Sequence, residues 1–299
     1  LGHTFKPNSL AFSRDGKYLV SASDRIAIIW QTKDGQKVQR LQCDTWIGQA
    51  FFTQNGRHVI GIGGKGNFFR WNVQNGEQLF TQKLHESDSV ALALSPVDNK
   101  WMATADKYGK IFLWCYPSVE HVKTFVMGDV EIRKVVFAPD GSWVAACDVS
   151  GKVAIFDRKT GAETIIFQHA ANEPVRHVTA APNGKLLAFV DGSGQVYVYN
   201  LERKLLLPSQ QGHDDMALCC AFNADSSIIA SGGQDNKIVI WKVRKSGLAR
   251  LFMIAAHSEP VISLLFEKKR NNLYSSSRDR KIRYWKLDYL LFSEIILGQ

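Results

Sequence analysis

One pattern of apolar and polar positions repeats along the whole chain. Each repeat has a short apolar run, a polar turn and a second apolar run, and clear examples begin at Leu10, Val135 and Thr179. Their turns contain Asp-Gly or Asn-Gly, which tolerate the positive φ angles of a tight hairpin. The runs alternate or are wholly apolar over about four to six residues, as β-strands do. No segment keeps a helical period, so the pattern predicts an all-β fold.

The repeat has a regular length. An aromatic residue closes the third apolar run of each unit, and successive aromatics are 41, 43, 42, 43, 42 and 44 residues apart. These aromatics are Trp30, Trp71, Trp114, Phe156, Tyr199, Trp241 and Trp285. A period of this size is the signature of a repeat architecture, and seven units occupy the chain. We therefore expect one domain over residues 1–299, and the start at Leu1 instead of Met favours a domain of a longer protein.

A histidine stands near the start of five units, namely His3, His85, His169, His213 and His257. Together with the period and the closing aromatic, this pattern resembles the WD40 repeat. The resemblance extends over all seven units, although only Asp157 provides the Asp that normally follows the aromatic. It implies a seven-bladed β-propeller of four-stranded antiparallel blades. The apolar segment 289–299 is then expected to form the outer strand of the seventh blade, without the usual overlap of the two chain ends.

The resemblance also implies a buried hydrogen-bond chain of His, Ser or Thr, Asp and Trp in each complete blade. Three units match: His3, Ser21, Asp24 and Trp30; His213, Ser231, Asp235 and Trp241; and His257, Ser275, Asp279 and Trp285. These sets recur, whereas a catalytic triad occurs once and needs an oxyanion hole, so we interpret them as structural. The second to fifth units have Lys65, Tyr108, Ser150 and Ser193 at the Asp position. Those blades are therefore expected to be less rigid.

Family geometry implies one candidate binding face. We call it the top face: it carries the loops that lead into each blade and the turns before each third strand, and the opposite side is the bottom face. The family often binds peptides on the top face. Its expected residues are Lys6, Asn8, Trp46, Gly48, Asp88, Val90, Glu131, Arg133, Pro174, Arg176, Met216, Leu218, Pro260 and Ile262, with Gln234 and Arg278 from the turns.

The amino-acid types at these positions indicate which of them are the best candidates for binding a partner. Because Trp and Arg are enriched at interface hot spots, we predict Trp46 and Arg133 as the main binding residues. Arg176, Met216 and Arg278 are the predicted secondary contacts. Leu218 and Ile262 have an equally good alternative role, which is packing between blades.

Charge narrows the partner class. The chain has 37 Lys and Arg against 28 Asp and Glu, a net charge of +9 that permits attraction to nucleic acid or acidic proteins. The expected geometry places the basic residues of the seventh unit on two different faces. Lys268, Lys269 and Arg270 fall on the bottom face, whereas Arg278 and Arg280 fall on the top face. Because RNA binding needs a continuous basic surface, it is the less favoured alternative.

The remaining motifs exclude several kinds of chemistry. The five cysteines (Cys43, Cys115, Cys147, Cys219 and Cys220) contain no CxxC pair, so neither disulfides nor metal is expected, and no cofactor is indicated. The glycine-rich stretches 61–66 and 192–194 continue into strands, whereas a phosphate loop opens a helix. The sequence has no run of 18 or more apolar residues, so no membrane span is predicted. A reducing compartment is favoured, the cytoplasm first and the nucleus second.

These observations favour a non-catalytic scaffold that binds a peptide or protein partner. A sensor or regulatory domain fused to an effector, such as an ATPase or a kinase, is the first alternative. An RNA-binding subunit and a propeller enzyme rank lower. The enzyme ranks low because the sequence has no nucleophile elbow, metal cluster or isolated carboxylate pair.

Overall fold

The computed structural model describes residues 3–98, 100–268 and 270–287. In these residues the chain forms seven separate antiparallel sheets, each built from strands that follow one another in sequence. The helical content of the same residues is one 3₁₀ turn, Gly64–Gly66. The all-β prediction is confirmed.

The first four sheets have four strands each. They comprise β1 (Ser9–Phe12), β2 (Tyr18–Ser23), β3 (Ile26–Gln31) and β4 (Lys37–Gln42); β5 (Ile47–Phe52), β6 (His58–Gly63), β7 (Asn67–Asn72) and β8 (Gln78–Lys83); β9 (Ser89–Leu94), β10 (Trp101–Asp106), β11 (Lys110–Cys115) and β12 (Glu120–Val126); and β13 (Ile132–Phe137), β14 (Trp143–Asp148), β15 (Lys152–Asp157) and β16 (Glu163–Gln168).

The last three sheets follow the same order with two variations. They comprise β17 (Val175–Ala180), β18 (Leu186–Asp191), β19 (Gln195–Asn200), β20 (Leu205–Leu206) and β21 (Gln210–Gln211); β22 (Ala217–Phe222), β23 (Ile228–Gly233), β24 (Lys237–Arg244) and β25 (Gly247–Ala255); and β26 (Val261–Phe266), β27 (Leu273–Ser277) and β28 (Ile282–Trp285). The seventh sheet thus has three strands within the described residues, and the predicted closing strand, 289–299, lies outside them.

The fifth blade has a broken outer strand. Both β20 and β21 pair with β19, and Pro208 lies between them. Because proline has no N–H to give to a ladder, the strand is interrupted there.

The sheets stand around a closed ring. The first strand of each blade contacts the first strand of the next, and β26 of the seventh blade contacts β1 of the first. These seven inner strands form the wall of a central channel. The predicted seven-bladed propeller is confirmed, and the ring closes between the last blade and the first.

Packing between blades explains the apolar pattern of the sequence. The second strands are covered on both faces by neighbouring blades, so β6 and β14 are buried at every position after the first. Outer strands such as β8 are mostly exposed. Large side chains fill the spaces between sheets, and Trp71 and Trp241 are both fully buried. Truncating a buried side chain of this size costs about 3–5 kcal/mol.

Candidate functional site

A one-residue β-bulge interrupts the first strand of six blades near its top end. In β13, Ile132 pairs with Asp148 and Lys134 pairs with Cys147, so Arg133 between them is unpaired. A bulge of this kind re-aims the extra side chain. We call the six extra residues the bulge ring: Gly48, Val90, Arg133, Arg176, Leu218 and Ile262. All six are half-buried, and all were expected on the top face from the sequence.

The two arginines of the bulge ring belong to neighbouring blades. Arg133 Nη1 donates to Glu131 Oε1 at 2.8 Å, and Arg176 Nη2 donates to Met216 Sδ at 3.0 Å. Burial lowers the pKa of Arg176, and the positive charge of Arg133 lowers it further. Met216 therefore contacts Arg176, and Arg133 occupies the equivalent position in the neighbouring blade.

Both arginines have unused hydrogen-bonding capacity. The Nε atoms of Arg133 and Arg176 are buried and have no partner among the described residues. A buried donor without an acceptor costs about 1–3 kcal/mol. The Arg133 side chain as a whole is 34% exposed, so a binding partner can reach other parts of it.

Trp46 lies on a support of glycines. A Cβ atom on Gly64 would fall 2.7 Å from its Cδ1, and one on Gly48 would fall 2.6 Å from its Cζ3. The indole therefore occupies the space that other side chains would fill. The side chain remains 37% exposed on the top face. This explains the glycine-rich stretch 61–66, which leads into strand β7 as expected.

Some of the other top-face residues are exposed, and one of them holds a turn. Arg278 is exposed in the turn after β27, and its backbone N–H donates to the Pro260 carbonyl. Asp88, expected to face a partner, instead accepts a hydrogen bond from the Lys65 N–H at 2.8 Å and holds the turn of the second blade. Tyr108 is 54% exposed in a top-face turn, yet the sequence reasoning considered it only as a replacement for Asp.

The sixth blade contains a complete hydrogen-bond chain. His213 Nδ1 donates to Asp235 Oδ1 at 2.9 Å, because the carboxylate can only accept. The Ser231 hydroxyl then donates to Nε2 at 2.9 Å and accepts from Trp241 Nε1 at 2.9 Å. Burial lowers the pKa of His213, although Asp235 opposes the shift, so the imidazole is neutral near pH 7.

The seventh blade repeats this chain. His257 lies 2.8 Å from Asp279 and 2.7 Å from Ser275, and Trp285 donates to Ser275 at 2.8 Å. Burial also lowers the pKa of His257, again against the effect of its carboxylate partner. The geometry of both blades is that of a structural set rather than an open catalytic triad, because every polar atom along it has a partner.

The predicted role of Asp24 in the first blade is wrong. His3 bonds to Ser21 at 2.6 Å and Trp30 donates to Ser21 at 2.7 Å, but in the described part of the chain Asp24 does not bond to His3. The turn between β2 and β3 contains only Asp24 and Arg25. The hairpin is one residue shorter than in the sixth and seventh blades, because Ser21 pairs with the residue seven positions later, whereas Ser231 and Ser275 pair with residues eight positions later. Asp24 adopts a φ of 50° within the turn. The carboxylate therefore does not reach the imidazole.

The third, fourth and fifth blades have an anchor that the sequence reasoning missed. A buried aspartate ends the second strand, two residues before the position considered. Asp191 Oδ1 accepts from the backbone N–H groups of Ser193 and Gln195 at 2.9 and 3.0 Å, and its Oδ2 accepts from the Tyr197 hydroxyl at 2.7 Å. Asp148 and Asp106 hold their turns in the same way.

The sequence contained a signal for these anchors. Each aspartate is followed three residues later by a glycine with positive φ, at Gly109, Gly151 and Gly194. The expectation that these blades are less rigid rested on a missing carboxylate. That premise is wrong, because the carboxylate is present at a different position.

The third blade has a mixed arrangement. His85 Nε2 bonds to Thr104 at 2.8 Å, and Trp114 donates to the same hydroxyl at 2.7 Å. Nδ1 of His85 is buried without a partner among the described residues, since Asp106 is used by the turn. Burial lowers the pKa of His85 to about 4.

The geometry of the described residues also bears on metal binding, membrane spanning and the state of the cysteines. Within residues 3–98, 100–268 and 270–287, no group of three or more His, Cys, Asp or Glu side chains is placed to hold a metal ion. No helix in those residues is long and apolar enough to cross a membrane. Four of the five cysteines are buried, and all five are free thiols.

One protein-family model matches four segments of the chain that coincide with repeat units. The family model described as "WD domain, G-beta repeat" matches residues 1–31, 120–157, 205–242 and 249–286. Each matched segment ends one residue after a closing aromatic, so the matches are in register with the units found in the sequence.

Several curated proteins are similar to the chain. "WD repeat-containing protein 26 homolog" of Arabidopsis thaliana is 22% identical over 96% of this chain and 49% of its own length. "Ribosomal RNA-processing protein 9" of Saccharomyces cerevisiae is 30% identical over 29% of this chain and 15% of its own length. "Protein HIR1" of Kluyveromyces lactis is 25% identical over 58% of this chain and 17% of its own length. The chain spans half or less of the length of each of these relatives.

Proposed function

Because the chain belongs to the WD40-repeat family of seven-bladed β-propellers, we propose that it is a non-catalytic scaffold that binds a peptide or protein partner on its top face. The observation that carries this proposal is the arginine pair of the bulge ring. Arg133 and Arg176 occupy the same bulge position in neighbouring blades, and each keeps a buried Nε–H without an acceptor within the described residues.

The surroundings of the pair suit a protein partner. Arginine binds carboxylates and carbonyl groups through several parallel donors, so a peptide can satisfy both guanidinium groups at once. Met216 lies beside Arg176, and Trp46 offers an aromatic surface on the same face. Hot spots combine such residues with partial burial. We propose Arg133, Arg176 and Trp46 as the main contacts, with Met216 and Arg278 as secondary contacts.

Two alternatives have their own support. A regulatory domain attached to an effector is favoured by the length of the relatives, since the chain spans half or less of each. Nucleic-acid binding is favoured by the net charge of +9 and by the name of the similar ribosomal RNA-processing protein. A cytoplasmic location, with the nucleus second, is part of the proposal.

The proposal can be tested by affinity capture with quantitative mass spectrometry on the full chain. We compare the wild-type protein with Trp46→Ala and with the double variant Arg133→Ala/Arg176→Ala. The matched control is Arg57→Ala/Arg203→Ala, because these two arginines are exposed on the bottom face. We expect the same protein to be lost from both top-face variants and kept by the control.

Two results would redirect the proposal. A partner lost only from the bottom-face double variant places the binding site on that side. Nucleic acid recovered by all variants, with an affinity that falls steeply with salt, favours the RNA-binding alternative.

A further inference from the structure

A second candidate site lies inside the ring, on the side away from the bulge ring. A cavity of about 550 Å³ occupies the bottom part of the central channel. The side chains of Phe51, Leu94 and Val136 contribute to its apolar wall. Volumes of 300–1,000 Å³ are typical of sites for small molecules.

The rim of this cavity is tied together by hydrogen bonds between hairpins of different blades. Lys268 Nζ donates to the Arg14 carbonyl at 3.3 Å, and Arg14 Nη1 donates to Gln54 Oε1 at 3.5 Å. Gln54 Nε2 in turn donates to the Pro96 carbonyl. These bonds join the seventh, first, second and third blades, so the opening is preformed.

The charges on the cavity are all of one sign. Arg14, Lys134 and Lys268 line it, and its described lining includes no Asp or Glu. Lys134 lies on β13, and its Nζ is 5.8 Å from the centre of the Phe51 ring on β5, two blades away. Within the described residues, Lys134 Nζ has no hydrogen bond and no ion pair. Lys134 is half-buried and lines this open cavity, so its ammonium group is available to pair with an anion that enters.

The groups around Lys134 do not supply that anion. Burial raises the pKa values of the Cys147 and Cys220 thiols, which keeps them neutral. Burial lowers the pKa of His177 well below its usual value, so this imidazole is neutral as well. Burial also lowers the pKa of Lys134, to about 8.

We propose that this cavity binds a small amphipathic organic anion, whose carboxylate or phosphate group pairs with Lys134 and whose apolar body packs against the Phe51 wall. The single sign of charge selects the anion, and the apolar wall selects a hydrophobic body. This site is independent of the top face, so the chain would be able to hold a ligand and a protein partner together.

Calorimetric titration of the full chain tests the proposal with three probes of equal chain length: octanoate, octyl phosphate and octanol. We expect at least one of the two anions to bind and octanol to bind more weakly. The tighter anion identifies the head group. Binding of octanol equal to that of both anions would overturn the proposal, and so would an absence of binding by both anions.

Two variants locate the site. Lys134→Met removes the charge with little change of volume, and we expect it to weaken anion binding by about tenfold or more. Lys245→Met is the matched control, because Lys245 is exposed in the turn between β24 and β25. Equal affinities for Lys134→Met and the wild-type chain would contradict the assignment.

The wild-type chain provides a test that does not depend on a variant. Octanoate keeps its charge from pH 7 to pH 10, whereas Lys134 loses its proton across this range. We expect octanoate affinity to fall by about tenfold or more between these two pH values. The cysteines and His177 beside Lys134 are neutral throughout, but the pKa of Lys268 at the rim is also lowered by burial. A constant affinity from pH 7 to pH 10 would contradict an ammonium contact.

Discussion

The fifth and sixth blades each use an aspartate to hold the turn between the second and third strands, but the aspartate stands at a different position in each blade. In the sixth blade, His213 from the loop before the blade reaches Asp235 in the turn, so two segments 22 residues apart are joined. In the fifth blade, Asp191 holds its own turn through groups no more than six residues away. In both blades the turn needs an acceptor for its N–H groups. This acceptor can stand at the end of the second strand, as Asp191 does, or within the turn, as Asp235 does.

The difference has a consequence for the top face. Where the His–Asp link is present, the loop before the blade is fixed to the turn. In the fourth blade this link is absent, and in the fifth His169 Nε2 lies 3.6 Å from Asp191 Oδ2. These two blades provide the arginines of the bulge ring. The loops that precede these two arginines therefore lack the close His–Asp hydrogen bond of the sixth and seventh blades, and are held to their turns by the backbone bonds of Val149 N–H to Glu131 and Gly192 N–H to Pro174.

The largest expected effect comes from removing either anchor. Asp191→Ala and Asp235→Ala should each lower the free energy of unfolding by about 3 kcal/mol, because both leave buried donors without acceptors. Urea denaturation measures the effect. Asp140→Ala is the matched control, since Asp140 makes the same turn contacts with Ser142 on the exposed bottom face. If Asp191→Ala costs as little stability as Asp140→Ala, then Asp191 and Asp235 are not equivalent anchors.

The next effect is a loss of stability in acid. The folded state lowers the pKa of His3 and of His85 to about 4, with burial as the main cause, whereas an unfolded histidine titrates near 6.5. Their contribution to stability is therefore complete above pH 6.5 and is lost as the pH falls toward 4. His213 and His257 contribute in the same direction, but their aspartate partners oppose the shift.

Unfolding free energies at pH 7.5 and pH 4.5 test this difference. We expect His85→Gln to remove up to about 3 kcal/mol of the acid-dependent loss. His121→Gln provides the control, because His121 is exposed on β12. The same acid-dependent loss in the wild-type protein and in His85→Gln would show that this imidazole does not contribute.

A smaller effect distinguishes the closing aromatics of the two blades. Trp241→Phe removes the hydrogen bond to Ser231 and leaves a space in a fully buried site, so we expect a loss of about 2 kcal/mol. Tyr199→Phe should cost about 0.5 kcal/mol or less, because within the described residues the Tyr199 hydroxyl has no hydrogen bond. Thermal unfolding of both variants checks the difference. Equal losses would contradict the expected contribution of the Trp241 hydrogen bond and of its larger ring.

A small effect is also expected for Ser193→Ala in the fifth blade. Its hydroxyl donates to Asp191 at 2.8 Å, but the carboxylate keeps its bonds to two backbone N–H groups and to Tyr197. We expect a cost of about 0.5–1 kcal/mol, measured by the same denaturation. A loss as large as that of Asp191→Ala would show that the serine, not the aspartate, anchors the turn.

The sequence predicted the blades well because each strand's apolar pattern is set by its position between two sheets. It predicted the complete chains in the sixth and seventh blades, where the turn lengths agree. It failed at Asp24, since a turn shorter by one residue changes where a side chain points. It missed Asp191 because the family pattern places the carboxylate two residues later in the turn. The family resemblance implied the top-face positions, which remain a prediction, and the bulge that re-aims Arg133 and Arg176 depends on strand pairing, which sequence periodicity does not report.

The central claim is that the arginines of the bulge ring act in binding and not in folding. The most direct test is to measure, for Arg176→Ala beside Arg57→Ala, both the dissociation constant of the captured partner and the melting temperature. We predict that Arg176→Ala weakens binding by more than about fivefold, or about 1 kcal/mol, while its melting temperature stays close to that of the wild-type chain. Arg57→Ala should change neither quantity. An unchanged dissociation constant for Arg176→Ala, or a loss of binding matched by a loss of stability, would contradict the claim.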